Sequence, residues 1–145
     1  MNQFNLRVYG ILINDKQEVL LSSELRFGKS MIKFPGGGLE FGEGQKECLK
    51  REFREECAIE VEVGELFYVN DSFQVSAFSP KQQLFSFYYF VRYPNWSDLE
   101  TVSIDYVHQE EGEKRVWRSL KHLNVDDFTF PIDKKVVDEL TRLLR

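Results

Sequence analysis

The sequence is poor in several residue types and patterns, and each shortage excludes something. No apolar run approaches the roughly 20 residues that cross a bilayer, so no membrane partner is expected. Met1 to Arg7 lack the basic and apolar regions of a secretion signal, which leads us to expect a cytoplasmic protein. There are only two cysteines, Cys48 and Cys57, nine positions apart. On a helix their Cα atoms would be about 13 Å apart at about 1.5 Å per residue, too far for a disulfide. The two histidines, His108 and His122, stand apart from them and from each other, so no zinc spacing exists. Positive charge is also short: 19 Lys+Arg against 24 Asp+Glu gives a net charge of −5. A chain without a cationic excess has little to offer a phosphate backbone, so a nucleic-acid polymer is not an expected partner. Repeats, low-complexity tracts and linkers are absent, and residues 1–145 read as a single domain.

What is present is a foldable core, with 42% hydrophobic residues and thirteen Phe. Leu6 to Ile13 read as a strand, Asn14 to Gln17 as a turn and Glu18 to Leu21 as a second strand, together a hairpin. Met31 to Phe34 form a short strand halted by Pro35 and three glycines. Glu43 to Cys57 is the best early helix, lacking proline and any glycine beyond Gly44. Ile59 to Val63 alternates with period two and continues through Leu66 to Val69. Gln83 to Val91, rich in aromatics, predicts a strand buried on much of its surface. Residues 93–112 read as a loop, Lys114 to Trp117 as a strand and Ser119 to His122 as a helical turn. Pro131 opens a final helix whose Val136, Val137, Leu140, Leu143 and Leu144 should pack on the sheet. The fold class is α+β: a mixed β-sheet with helices against it, an α/β/α sandwich.

The chemistry concentrates between Pro35 and Ile59. With about 100° per residue and Leu49 as zero, Glu52 falls near 300°, Glu55 near 240° and Glu56 near 340°. Three carboxylates thus share one helical edge, beside an apolar stripe of Leu49, Phe53 and Cys57. Like charges at such spacing repel, and acids near a helix carboxyl end also oppose the macrodipole. A purely structural helix gains nothing from this, whereas a hard divalent cation would reverse the sign. The alternative is a solvated helix on which Arg51 and Arg54 pair with those acids. Gly36, Gly37, Gly38 and Gly42 in the preceding loop let backbone approach a ligand or metal closely.

Loop and helix together resemble the signature of the Nudix hydrolases, G-x5-E-x7-R-E-U-x-E-E-x-G-U, in which U is bulky and apolar. Gly37, Glu43, Arg51, Glu52, Phe53, Glu55, Glu56 and Ile59 stand at those positions. Ala58 departs from the pattern, where the family has glycine just past the helix, and should carry a small backbone cost. Trp117 to Leu120 and Leu123 to Phe128 look like the tail of the MutT-like branch, and the Nudix-type sandwich is the fold implied.

The resemblance implies Mg²⁺-dependent hydrolysis of a nucleoside diphosphate linked to another moiety, with Mn²⁺ as the alternative ion. Glu52, Glu55 and Glu56 with the Gly36 carbonyl would hold the metal, and Gly37, Gly38 and Arg26 would meet the substrate. Arg51 would orient a catalytic carboxylate and Glu43 would support it. The general base is left between Glu52 and a loop acid: Glu111 sits where the branch places a further acid, and Glu110 and Glu113 are adjacent. Neither marker about 16 residues past the box, Tyr or Pro, is present, since the count reaches Val75. The positions that read oxidised guanine hold Glu24 and, across a one-residue gap, Ile132 or Asp133, so the substrate is left open. Phe73, Phe85, Phe87 and Tyr89 are read as core before they are read as base-stacking groups. The competing reading is a non-catalytic Nudix-fold nucleotide-binding or regulatory module. A homodimer is retained as an assembly to test.

Overall fold

A computed structural model describes residues 1–144. Among the described residues there are seven strands and two α-helices, β1 Gln3–Leu12, β2 Glu18–Arg26, β3 Lys29–Lys33, β4 Gly36–Gly38, α1 Gln45–Cys57, β5 Glu62–Val69, β6 Gln82–Arg92, β7 Gly112–Ser119 and α2 Pro131–Leu143. The α+β class is borne out, with the strands divided between two sheets, β4-β1-β6-β5 and β3-β2-β7. The chain forms two compact units, Met1–Ile11 with Gly36–Tyr93, and Leu12–Pro35 with Pro94–Arg145. Among the described residues no helix is long and apolar enough to cross a membrane, and Cys48 and Cys57 form no disulfide.

The first unit carries the four-stranded sheet and α1. Cys48, Leu49 and Phe53 recur on one face of α1 and are buried. Gly10 of β1 makes this packing close: a Cβ there would stand 2.7 Å from the Phe53 ring and 2.8 Å from Val91. The glycine run is a strand and not only a turn, because Gly36, Gly37 and Gly38 pair antiparallel with Tyr9, Val8 and Arg7. The strand expected from Ile59 through Val69 is β5, which starts at Glu62 and has register shifts near Leu66. In β6, Ser86, Tyr88 and Val91 are buried, whereas Phe85, Phe87 and Tyr89 are half-buried and Phe73 is exposed. The expectation that most of these four aromatics lie in the core is corrected accordingly.

In the second unit β2 is the central strand, antiparallel to β7 along nearly its whole length and to β3 from Ser22 to Arg26. The expected hairpin of β1 and β2 is reduced to one bridge, Ile13 to Val19, because these strands enter different sheets. Its turn survives for a local reason: Asn14 Oδ1 accepts from the backbone amides of Lys16 at 2.9 Å and Glu18 at 3.0 Å. β7 runs from Gly112, so it claims the end of the segment read as a loop. Phe34 stacks on Phe128 at 5.2 Å, and α2, with Pro131 in its first turn, buries Ile132, Val136, Val137 and Leu140.

Helix α1 ends on Ala58, whose backbone is left-handed at φ 57° and ψ 36° and whose amide donates to Arg54 O at 3.1 Å. An L-side chain in this region costs about 1 kcal/mol relative to glycine. Ala58→Gly is therefore expected to stabilise the fold by about that amount, raising Tm by about 2–4 °C. Thermal unfolding checks this, and an unchanged or lower Tm would show the strain to be absorbed elsewhere.

Candidate active site

The acidic edge of α1 is organised around one cation. Arg51 donates from Nε to Glu43 Oε2 at 3.0 Å and from Nη2 to Glu43 Oε1 at 2.7 Å, a two-pronged pair. Its Nη1 reaches Glu52 Oε1 at 3.1 Å and Glu55 Oε2 at 3.2 Å, and Nη2 also donates to the Gly38 carbonyl at 3.0 Å. Hydrogen bonding to Arg51 brings the Glu43 carboxyl down to about 2. The Arg51 guanidinium is held charged by the same carboxylates, Glu43 foremost. One half of the solvated-helix alternative is thus realised, since Arg51 does pair with the acids, but it does so at an inner position, 18% exposed. Arg54 turns away to Glu60.

Glu52 is well enclosed, 13% exposed against 58% for Glu55. Its carboxylate fills the volume that a side chain at Gly37 would need: a Cβ there would lie 2.5 Å from Glu52 Cδ. The glycine at position 37 is therefore explained by the carboxylate beside it. Gly36 is engaged with Tyr9 in the β4–β1 pairing, and Gly38 gives its carbonyl to Arg51 and to Cys48 Sγ at 3.5 Å. Burial, then the Glu43 carboxylate, pushes the Cys48 thiol up to about 12, which removes it as a nucleophile at neutral pH.

Three participants escaped the sequence reading. Glu40 lies 3.6 Å from Arg51, and the Glu43 carboxylate accepts from its amide at 2.9 Å, a turn-forming contact hidden by its short range. Gln45 accepts from the Tyr89 hydroxyl at 2.5 Å. Arg7 of β1 is the third. Burial acts to lower its charge affinity, but Tyr9, Glu52 and Glu56 outweigh it and the guanidinium stays charged. No motif marks Arg7, and only the register of β1 on β4 brings it here.

Arg26 and Glu111 belong to the second unit. The pairing of Leu25 with Gly112 places them at one end of the β2–β7 ladder, where Glu111 Oε2 accepts from the Phe27 amide at 3.2 Å. The Arg26 guanidinium stands 4.8 Å from the Phe27 ring centre. Glu113 is engaged otherwise, with Lys33 at 3.4 Å and Arg115 at 3.3 Å. Burial raises its carboxyl, but Arg115, Ser22 and Lys33 hold it below the usual range. Held in this way, Glu113 is poorly suited to accept a proton.

Among the described residues no three His, Cys, Asp or Glu side chains converge as a ready metal cluster. The donor chemistry nevertheless fits a hard divalent cation. The candidate groups are all oxygen donors, and Gly37 leaves room for Glu52 where any side chain would displace it.

Comparison with known proteins agrees with this geometry. A family profile described as NUDIX domain matches residues 3–140. The chain is 26% identical over 136 residues to the 8-oxo-dGTP diphosphatase of Escherichia coli (strain K12), covering 92% of this chain and 94% of that one. Among solved structures, the E. coli ORF135 protein superposes with a TM-score of 0.70 at 21% identity, covering 99% of this chain and 92% of that chain. The MutT protein from Methanosarcina mazei Go1 gives 0.69 at 21%, covering 99% and 97%. At this identity the structural likeness concerns the fold.

Proposed function

This chain belongs to the NUDIX domain family, and from that premise we propose that it hydrolyses a phosphoric anhydride bond in a nucleoside diphosphate linked to another moiety. The observation that carries the reading is the arrangement of Glu43, Arg51, Glu52 and Glu55 around one another beside Gly37. A helix designed only for stability would not enclose Glu52 against a strand of glycines.

Glu52, Glu55 and Glu56, with the Gly36 carbonyl, would hold Mg²⁺, or Mn²⁺ in its place. When bound, such an ion neutralises phosphate charge, polarises a phosphoryl oxygen and makes a bound water more acidic. Arg51 fixes the Glu52 and Glu55 carboxylates, and Glu43 fixes Arg51, so the acids are set before substrate arrives. A carboxylate, Glu52 or Glu111, takes the proton of the water that attacks phosphorus as the anhydride P–O bond breaks. Gly37, Gly38 and Arg26 belong to the substrate-binding part of the same reading. The substrate is a small nucleotide derivative rather than a polymer, in keeping with the net charge of −5. The curated relative's name specifies 8-oxo-dGTP, which makes it the first member of a panel rather than the answer.

The deciding experiment is a screen of dNTPs including 8-oxo-dGTP, dinucleotides and nucleotide sugars, scored for released phosphate species with and without Mg²⁺. Cleavage of at least one class only when Mg²⁺ is present is the expected result. Tight binding of a nucleotide recovered intact across the panel would instead identify a recognition module.

A further inference from the structure

Arg7 lies half-buried on β1, directly opposite Gly38 of β4. Its Nε donates to the Tyr9 hydroxyl at 2.7 Å, and its guanidinium carbon stands 5.7 Å from the Tyr9 ring centre. Tyr9 is itself held, stacking at 5.1 Å on Tyr88, which is buried at the centre of the sheet. The fork is therefore fixed at its base. Its far end is not used by the protein: among the described residues Nη1 and Nη2 make no hydrogen bond and no ion pair within 4.0 Å. Nη1 would stand 3.6 Å from a Cβ on Gly38, so only the bare strand borders it there.

Its neighbours say what such a fork could do. Glu52 and Glu56 act on Arg7 electrostatically, yet no ion pair within 4.0 Å joins Arg7 to either, and Arg51 holds Glu52 at 3.1 Å. Nη1 and Nη2 are not buried, so their donors are open to solvent and available to an incoming acceptor. An anion of matching geometry can take them up, since a phosphoryl group accepts two parallel N–H bonds from such a fork.

We infer that Arg7 is a substrate-binding residue, whose Nη1 and Nη2 grip a phosphoryl group of the nucleoside diphosphate on the Gly38 side of β4, with Tyr9 as its positioning partner. This rests on the anhydride-cleaving reading above, and it adds a cation in the same unit as the box carboxylates that the box itself does not specify.

The test compares Arg7→Met, Arg7→Lys and Tyr9→Phe with the unmodified protein. Steady-state kinetics are measured on the best substrate of the screen, and methylenediphosphonate binding is measured by calorimetry with Mg²⁺ present. Arg7→Met is expected to raise both KM and the methylenediphosphonate Kd by about 10- to 100-fold, with kcat changed by less than about threefold. Arg7→Lys should recover part of the loss, since charge remains but the planar fork does not, and Tyr9→Phe should fall between. If the Met variant fails to fold, the Lys and Phe variants carry the comparison. Unchanged KM and Kd would overturn the inference. So would a fall in kcat at unchanged KM, the mark of a residue acting only through Glu52 or Glu56. A protein that binds methylenediphosphonate but cleaves nothing fails as an enzyme, and Arg7 is then judged on Kd alone. One that binds none overturns both.

Discussion

Glu52→Gln should lower kcat by at least about a hundredfold while the protein remains folded. Glutamine preserves the shape that fits beside Gly37 and removes only the charge. The loss of a charged oxygen donor is worth several kcal/mol of transition-state stabilisation, and each 1.36 kcal/mol is about tenfold. Stability should change little, because the lost attraction to Arg51 is offset by relief of the repulsion from the neighbouring carboxylates. Glu55→Gln should also lose at least about a hundredfold, though less than Glu52→Gln, since Glu55 is 58% exposed and its donor is more readily replaced by water. Turnover numbers beside thermal unfolding curves decide the matter. Near-normal hydrolysis by a folded Glu52→Gln protein would remove this carboxylate from the chemistry.

The second large effect is on stability. Arg51→Met withdraws the cation shared by Glu43, Glu52 and Glu55 and leaves them facing one another. Breaking one side of a buried pair costs about 3–5 kcal/mol, and for a pair that keeps some solvent the figure falls to about 2–3 kcal/mol. Lysine should restore little, because it has no fork for the two-pronged bond to Glu43. In a double-mutant cycle with Glu43→Gln, the costs should be clearly non-additive. Acid adds an independent reading. The folded-state value of Glu43 is depressed to about 2 from 4.5, so its contribution is present above about 4.5 and is lost as pH falls through about 2. Denaturation measured over that window should show less pH dependence in Arg51→Met than in the unmodified protein. An Arg51→Met protein as stable as its parent, with the same acid profile, would show the network to be incidental.

The part of the site that lies on α1 was legible in the sequence because it is local. Positions 52, 55 and 56 share an edge through helical geometry alone, and Arg51 reaches Glu55 one turn away. The strain at Ala58 was legible for the same reason, as a cap lies next to the helix that it ends. The turn at Asn14 was read correctly while the hairpin around it was not. Its hydrogen bonds span four residues, whereas the partners of β1 and β2 are chosen by distant strands.

What belongs to this chain's sequence by itself is the chemistry at fixed short spacing: a glycine run, a helix, three acids on one edge and an arginine among them. Tertiary structure decided which long-range neighbours those groups meet. It made Gly36 to Gly38 a strand by pairing it with residues 7 to 9. It set Glu52 against the missing side chain of Gly37, brought Arg7 opposite Gly38, and placed Glu111 beside Phe27. The physical reason is that a helix satisfies its hydrogen bonds within a few residues, so its faces follow from spacing. A strand must find its partners elsewhere, and one residue of register decides which side chains share a face.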